Sequence, residues 1–179
     1  LDKKISAALQ ELGMKGGTFE TRIETAPLTK DGTDRIEFLL SANPGERPKP
    51  LRQVASGGEI SRVMLAIKTV LASADRIPTL IFDEIDAGVG GAVANKVAQR
   101  LRELSVTHQT ICVTHLPQIA AAASAHFTVA KATAKGRTST RVQFLDRTER
   151  TKEVARLLDG SLSDVSLKHA AELLKTNQT

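Results

Sequence analysis

The stretch that decides the fold is Thr79-Leu80-Ile81-Phe82-Asp83-Glu84, a short apolar run that ends in two adjacent acids. Pro78 precedes the run and prevents a helix from continuing into it. A short apolar run without alternation is typical of a strand buried in a parallel sheet, and ligands of such sheets bind beyond the carboxyl ends of the strands. The run therefore predicts an α/β sheet with both acids at its ligand-binding edge.

Two acids at such an edge have two explanations. Burying both carboxylates without a cation would be costly, so a magnesium–phosphate site would give them a partner. In that site Asp83 would hold Mg²⁺, directly or through water, and Glu84 would orient or deprotonate the attacking water. Alternatively, the strand runs out into solvent and both carboxylates are simply hydrated.

A second apolar run, Thr110–Thr114, is followed by His115. At the carboxyl end of a parallel strand, this imidazole could donate a hydrogen bond to a γ-phosphate or hold the attacking water. A lone histidine is more often structural, so the position alone leaves both explanations open. The other three histidines are assigned no role: His108, His126 and His169.

Helices are predicted around these two strands, from residue 57 and over about 91–104. Their apolar residues recur at helical spacing. The residues concerned are Ile60, Val63, Met64, Ile67, Val70 and Leu71 in the first helix and Val93, Val97, Leu101 and Leu104 in the second. Short apolar strands separated by helices indicate a mainly parallel sheet that is covered on both faces.

The first of these helices opens with Ser56-Gly57-Gly58-Glu59. The Ser-x-x-Glu spacing is that of a capping box, which accounts for Ser56 and Glu59 without any ligand. It does not account for the glycines, which each cost a helix about 1 kcal/mol relative to alanine. Glycines at a helix start let backbone N–H groups approach an anion, which the helix dipole also favours. Ser56 and the amides that follow it are therefore predicted to contact a phosphate.

The residues before this helix predict a helix and a β-hairpin. Residues 1–12 carry an apolar stripe that ends at Gly13, and they form either the last turns of a returning coiled coil or a short amphipathic helix. Hairpin strands are predicted near Thr18–Glu24 and Arg35–Ser41, joined by a long, turn-rich loop that contains Asp31-Gly32. Residues 43–50 contain three prolines and are predicted to form neither helix nor strand.

The residues after His115 predict an Ala-rich helix, two strands and two terminal helices separated by Gly160. The strands, near His126–Lys131 and Arg141–Leu145, flank a basic loop. The basic residues on or beside this late hairpin are Lys131, Lys135, Arg137 and Arg141. A loop that contacts DNA phosphates would show this pattern, and so would an ordinary solvated hairpin, which is the favoured interpretation.

Composition narrows the class of protein. The 179 residues suit one domain or one lobe of a larger domain. Without Trp or Tyr, and with 3% aromatic residues, the chain is a poor candidate for a base-stacking platform. A net charge of +5, from 25 Lys and Arg against 20 Asp and Glu, is compatible with phosphate partners or with an ordinary basic surface. The single Cys112 excludes an internal disulfide and suits a reducing cytosol, and no apolar run is long enough for a membrane span.

The order of the motifs makes them specific. Ser56-Gly57-Gly58-Glu59, then Asp83-Glu84, then His115 is the order of the ABC signature, the Walker B acids and the switch histidine. Residues 42–46, 55–62, 80–86 and 113–118 resemble the corresponding stretches of the RecN family of bacterial DNA-repair proteins, which are relatives of the SMC proteins. The resemblance continues from Arg150 to Gly160.

This resemblance implies a P-loop-type ABC ATPase head made of two lobes, which a long antiparallel coiled coil separates in the sequence. Residues 1–12 would be the end of the returning coiled-coil helix. Residues 13–179 would be the C-terminal lobe, with a mainly parallel sheet, flanking helices and antiparallel hairpin strands. An N-terminal lobe would supply the phosphate-binding G-x-x-x-x-G-K-[ST] loop, since no Gly-Lys dipeptide occurs in this chain.

The resemblance also implies how ATP and Mg²⁺ are held. Glu84 and His115 as catalytic residues and Asp83 as the Mg²⁺ ligand would act on the nucleotide of their own head. Ser56, Gly57, Gly58 and Glu59 would bind the nucleotide of a second, identical head, so that ATP joins the heads and hydrolysis releases them. Alone, the chain is expected to bind ATP weakly and to hydrolyse none. The expected setting is double-strand break repair and recombination, with DNA as a partner, no membrane, and a cytoplasmic, nucleoid-associated location.

One departure concerns the loop after Glu84. The broader ABC pattern carries an aspartate there, where this chain has Ala87-Gly88-Val89-Gly90-Gly91. Asp86 is the candidate to replace that aspartate in the contact between heads. Gly88 and Gly90 would let the backbone pass close to the second head.

Two other functions fit some of the same residues. The nucleotide-binding subunit of an ABC transporter shares the chemistry, but such subunits usually read Ser-Gly-Gly-Gln and Asp-Glu-Pro where this chain has Glu59 and Ile85. A non-catalytic DNA-binding or assembly module that retains the motifs would depend on the basic residues of the late hairpin.

Overall fold

The structure is a computed structural model that describes residues 1–30, 32–54, 56–134 and 137–176. Its contacts divide the chain into two compact units, Leu1–Thr114 and His115–Thr179. The elements of the first unit are α1 (Asp2–Glu11), β1 (Thr18–Thr29), β2 (Gly32–Ser41), β3 (Lys49–Pro50), a 3₁₀ turn (Leu51–Gln53), α2 (Gly57–Val70), β4 (Thr79–Phe82), α3 (Gly91–Ser105) and β5 (Gln109–Cys112). Those of the second unit are α4 (Pro117–Ala122), β6 (Phe127–Ala134), β7 (Arg137–Phe144), α5 (Arg147–Asp159) and α6 (Asp164–Thr176).

The predicted parallel strands pair directly with each other. β4 and β5 run parallel, from the pair Thr79↔Gln109 to the pair Phe82↔Cys112. Leu80 and Phe82 are buried, at 8% and 4% exposure, which confirms one covered face. The prediction that the second face of the sheet is also covered is wrong for the described part of the chain, because Ile81 and Ile111 remain 70% and 45% exposed.

The helices of the first unit match their predicted extents, but α2 buries a different face. The spacing placed Met64 on the apolar face, yet Met64 is 38% exposed while Arg62 is buried. The reason is that α2 has neighbours on several sides: it contacts α1 and α3, and its first turns also meet the loop after β4. Its buried residues are Gly58, Arg62, Val63, Leu65, Ala66 and Ile67.

The predicted helix over residues 1–12 is confirmed as α1, which ends before Gly13 (φ +87°). Ile5, Leu9 and Leu12 are fully buried. Its polar side binds β1, where the backbone N–H of Thr21 donates to Asp2 Oδ2 at 3.0 Å. The helix is therefore tied into the first unit, and its assignment to the end of a coiled coil stays a prediction.

The first hairpin is confirmed, but the long loop predicted between its strands is wrong. β1 and β2 continue to the pair Thr29↔Gly32, and a register shift between Thr25 and Thr29 accommodates Pro27. Proline is tolerated at such irregularities because no ladder hydrogen bond from its nitrogen is needed. Asp31, from the predicted Asp31-Gly32 turn, lies outside the described residues.

The proline-rich connector also contains a strand, contrary to the prediction. β3 pairs with β2 through Leu39↔Pro50 and Leu40↔Lys49. A proline can take such a place because its carbonyl still accepts a hydrogen bond.

In the second unit, β6 and β7 form an antiparallel hairpin that is longer than predicted. Most of the expected basic loop is strand, because the pairing continues from Phe127↔Phe144 to Ala134↔Arg137. Two terminal helices were predicted, and α5 and α6 confirm them, with Gly160 (φ +77°) capping α5. A small apolar core joins α4, α5 and α6: Ala121, Val154, Ala155, Ala170 and Leu174. Among the helices described, none has the length and apolar character needed to cross a membrane.

Candidate functional site

The two acids leave the carboxyl end of β4, as predicted. Both residues are exposed. The backbone N–H of Glu84 donates to Asp83 Oδ1 at 2.9 Å, and the Ser61 hydroxyl donates to the Asp83 carbonyl at 2.6 Å. These bonds fix Asp83 and leave its second carboxylate oxygen for another ligand. An exposed carboxylate oxygen held in this way fits a hard cation such as Mg²⁺.

Glu84 has a left-handed backbone conformation, with φ at +55°. For a residue other than glycine this costs on the order of 1–3 kcal/mol and persists only where the surroundings enforce it. Here the Ala87 N–H donates to the Glu84 carbonyl at 2.9 Å and closes a tight turn. The turn directs the Glu84 side chain to the first residue of α2, where its Oε2 occupies the place that a Cβ on Gly57 would need.

Gly58 makes the second close approach. A Cβ at this position would lie 2.8 Å from Ala87 Cβ and 3.0 Å from the Glu84 carbonyl oxygen. Gly58 therefore lets the loop of residues 84–87 pack against the start of α2 in the same chain, and Gly57 leaves room for the Glu84 carboxylate. This local reason for Gly57 and Gly58 was missed in the sequence, where only the approach of an anion was considered.

The start of α2 still presents polar groups to solvent. Ser56 caps the helix, with its Oγ accepting from the Glu59 N–H at 3.4 Å. Ser56 and Gly57 are exposed, whereas Gly58 is buried and Glu59 is half-buried. The first two thus remain available to a ligand, while Gly58 is covered by its own chain.

Arg62 is a site residue that the sequence analysis missed. Its side chain is 7% exposed, and Nη1 donates to the carbonyls of Ala87 at 2.8 Å and Ile85 at 3.4 Å. Burial lowers the pKa of Arg62. The signal was its position four residues after Gly58, which places both on the face of α2 that meets the acidic loop.

Asp86 lies inside the same loop rather than at its surface. It is 5% exposed, and its Oδ2 accepts a hydrogen bond from the Thr114 hydroxyl at 2.5 Å. Gly88 and Gly90 are exposed, and no atom lies within 4 Å of a Cβ built on either. A second molecule could approach the backbone at both glycines, whereas Asp86 faces Thr114.

The negative charges of the acids also affect the pKa of a nearby cysteine. Cys112 is half-buried at the end of β5, as a small apolar residue would be. Burial raises the pKa of its thiol to about 12, and the negative charges of Asp86 and Asp83 add to the effect. The thiol is therefore neutral and unreactive at physiological pH.

His115 opens the second compact unit and is exposed. The chain reaches it along the edge where the acids lie, since the Val113 N–H donates to the Phe82 carbonyl at 2.9 Å. The first unit thus groups Ser56–Glu59 with Asp83, Glu84 and Asp86, and His115 belongs to the second unit. Within the described residues no three His, Cys, Asp or Glu side chains form a metal cluster.

The basic residues of the late hairpin do not share a face. Lys131 pairs with Thr140, whereas Arg141 pairs with Ala130 and Arg137 with Ala134. Because side chains alternate along a strand, Lys131 projects from one face and both arginines from the other. Lys135 lies outside the described residues.

Comparison with known proteins gives relatives over almost the whole chain. It is 43% identical over 97% of its length to the DNA repair protein RecN of Halalkalibacterium halodurans, and 43% identical over 98% to that of Bacillus subtilis. The RecN of Deinococcus radiodurans is 48% identical over 94% of the chain. The chain spans about a third of the length of these curated relatives, at 32%, 33% and 30%. No protein-family model matches it.

Solved structures with a similar fold are heads of SMC proteins. The Smc head domain with a coiled coil and joint from Pyrococcus yayanosii has a TM-score of 0.60 at 24% identity, covering 88% of this chain and 29% of that one. The Smc head domain with an extended coiled coil from Pyrococcus furiosus has a TM-score of 0.55 at 20% identity, covering 99% of this chain and 37% of that one. The fold is thus similar to part of an SMC head domain. The relatives of 43–48% identity show that the chain belongs to the RecN family.

Proposed function

We propose that the chain is part of an ATP-binding and ATP-hydrolysing head of a RecN protein that acts in DNA double-strand break repair and recombination. Two heads would join when ATP binds. The observation that supports this most is the contact between Glu84 and Gly57, which sets the Walker B acids beside the exposed start of α2. Groups for a head's own nucleotide and for its partner's nucleotide would then lie next to each other.

Asp83 and Glu84 are proposed to act on the nucleotide of their own head. Mg²⁺ would neutralise phosphate charge and orient the phosphates, and it is usually held by one or two carboxylates together with the phosphates themselves. Asp83 would supply that carboxylate from its second oxygen. Glu84 would accept the proton of the attacking water, and its exposed side chain is compatible with that role. His115 would donate a hydrogen bond to the γ-phosphate.

The start of α2 is proposed to bind the nucleotide of the second head. α2 has 14 residues, so the dipole and free amides at its beginning favour an anion. Ser56 and Gly57 would be direct contacts because they are exposed, and Gly58 and Glu59 would act from a more buried position. Gly88 and Gly90 would meet the second head through their backbone, while Asp86 would first have to leave Thr114.

A second lobe is proposed to complete this head. The open face of the β4–β5 sheet carries Ile81 beside Ile111, which are 70% and 45% exposed, and Val113, just after β5, is 58% exposed. Such a face in a parallel sheet is normally covered. We propose that an N-terminal lobe with the Walker A loop covers it, and that residues 1–12 end a returning coiled coil, with residues 13–179 forming the C-terminal lobe.

The setting of the proposed reaction is taken from relatives in fold and sequence. One structure of similar fold, with a TM-score of 0.51 and 22% identity, is described as belonging to a study of ATP-driven dimerization and DNA-stimulated activation of SMC ATPases. The sequence relatives are named as DNA repair proteins. Dimerisation on ATP, and DNA as a partner, are proposed for this chain on those grounds.

The proposal is tested by expressing the chain together with the missing lobe and replacing Glu84 by Gln. We expect turnover to fall by at least about 100-fold, the usual contribution of a general base, while ATP still binds. Glu24→Gln, at an exposed acid on β1, is the matched control and should leave turnover unchanged. Unchanged turnover in Glu84→Gln would exclude Glu84 as the base. A reconstituted head that never hydrolyses ATP would favour the non-catalytic module.

A further inference from the structure

A cavity of about 320 Å³ lies in the second unit, between the first turns of α5 and the end of α6. The segment that precedes β6, including His126, closes it. Its volume is at the small end of ligand sites, which suits a small group rather than a nucleic-acid duplex. None of the residues proposed to act on ATP lines this cavity.

The charged residues around the cavity are mostly cations. Arg147, Arg150 and Lys175 line it, with Asp146 as the acid among the lining residues. The Asp146 carboxylate is already engaged, because its Oδ1 accepts from the Glu149 N–H at 2.8 Å in the capping box of α5. The bond leaves Asp146 charged, but three cations against this one acid give the lining an excess of positive charge.

Arg150 is the most buried of these cations, with 9% exposure. Within the described residues, its Nη atoms donate to four backbone carbonyls and to no carboxylate; the acceptors are Ala120, Ala121, Ala123 and Ser124. Its Nε is buried without a hydrogen-bond partner in the described part of the chain. Burial lowers the pKa of Arg150, as expected for a charge removed from water without a counter-ion. An anion in the cavity would supply that missing counter-charge.

His126 offers a second unused group. Its Nδ1 is also buried and lacks a partner among the residues that the structure describes. Burial first, and then the positive charge of Arg150, lower the pKa of His126, which keeps the imidazole neutral at physiological pH. The acid that acts on it in the opposite sense, Glu153, is paired with Arg156 at 2.5 Å. A neutral imidazole can donate one hydrogen bond to an oxyanion.

We propose that this cavity binds a phosphate group, free or esterified, between His126 and Arg150, with Arg147 and Lys175 at its rim. Three observations favour a small oxyanion as the ligand. The lining has an excess of positive charge, Arg150 is buried without a counter-ion, and Arg150 Nε and His126 Nδ1 have no hydrogen-bond partner among the described residues. Arg147 and Lys175 are exposed, so that they can close over the anion or be replaced without disturbing the core.

The test compares two double variants of the full-length protein that remove equal charge from the same two helices. Arg147→Gln with Lys175→Gln empties the rim, and Lys152→Gln with Lys168→Gln is the control at exposed lysines outside the cavity. Binding of radiolabelled inorganic phosphate is measured by equilibrium dialysis, followed by AMP and by a short single strand with and without a 5′-phosphate. Thermal unfolding checks that both variants are folded.

We expect the rim variant to bind phosphate at least about tenfold more weakly than the control, because charge-assisted hydrogen bonds are lost. ATP turnover should be equal in the two variants. The probe with the largest loss identifies the source of the phosphate: the free ion, a nucleotide or a strand end. The proposal would be overturned if both variants bound every probe as well as the unmodified protein does. It would also be overturned if both lost the same amount of binding, because that loss would reflect net charge alone.

Discussion

Single residues explain why two motifs that stand 25 positions apart in the sequence form one structure. Gly58 is the clearest case, because a Cβ there would lie 2.8 Å from Ala87 Cβ. The sequence predicts where α2 begins, since Ser56 and Glu59 carry the capping pattern. It does not predict that the glycines admit the loop of residues 84–87, because spacing along a helix says nothing about which segment packs against it.

Gly58→Ala is expected to destabilise the first unit by about 1 kcal/mol. The clash with Ala87 and Glu84 should cost about 1–3 kcal/mol, which outweighs the roughly 1 kcal/mol that alanine gains in a helix. Chemical denaturation of the reconstituted head measures the change. Lys96→Ala, at an exposed position inside α3, is the control, and its effect should stay within about 0.5 kcal/mol. Equal effects of the two substitutions would show that the close approach at Gly58 is not restrictive.

Ser56→Arg tests the proposed contact with a second head. Ser56 is exposed at the start of α2, so a long side chain there should obstruct a partner. The substitution also removes the helix cap, at a cost of about 1 kcal/mol, so thermal unfolding must first show that the variant is folded. In the Glu84→Gln background, light scattering with ATP should show monomers, while ATP binding stays within about twofold. Ser105→Arg, at the far end of α3 from Gly90, should dimerise normally. A Ser56→Arg head that still dimerises with ATP would refute the contact in trans.

At the scale of elements, periodicity predicted the strands and helices whose own sequence pattern reports their burial. β4 and α3 fall at the predicted residues within one position, because apolar runs and helical stripes report local burial directly. It failed where the structure depends on contacts that such a pattern does not report. Arg62 on α2 is buried because it binds carbonyls of the loop after β4. Strand β3 in the proline-rich connector and the long β6–β7 hairpin depend on backbone pairing with a neighbouring strand.

The open face of β4 and β5 carries a prediction about the proposed N-terminal lobe. Ile81 and Ile111 pair across the parallel strands, so their side chains lie side by side on the exposed face. Replacing both by Lys should weaken association with the N-terminal lobe by at least about tenfold, since burying one such side chain contributes about 1.5–3 kcal/mol. Co-purification and titration of the separately tagged lobe measure the change.

The control for that experiment is Val106→Lys, at a residue that is 84% exposed after the end of α3 and lies outside the sheet. It should associate normally. If the sheet variant also associates normally, the lobe covers another surface and the proposed arrangement of the head is wrong.

For the whole molecule, net charge does not say whether DNA binds or on which surface. The chain has a net charge of +5, and the sequence attributed a possible DNA contact to the late hairpin. The register divides those cations, with Lys131 on one face and Arg137 and Arg141 on the other. Composition could not predict that the cations lie on two faces, because their placement depends on the register of β6 and β7.

The divided faces allow the DNA-binding alternative to be tested within one hairpin. Arg137→Gln with Arg141→Gln changes one face, and Lys131→Gln changes the other. Each phosphate contact contributes about 0.9 to the slope of log binding constant against log salt concentration, so loss of two contacts would lower its magnitude by about 1.8. We expect the full-length protein to keep its slope in both variants, because two arginines on an exposed two-stranded ribbon are typical of a solvated surface. A drop of about 1.8 confined to the arginine variant would instead show that this face binds DNA, and the head would then contact DNA through its second unit.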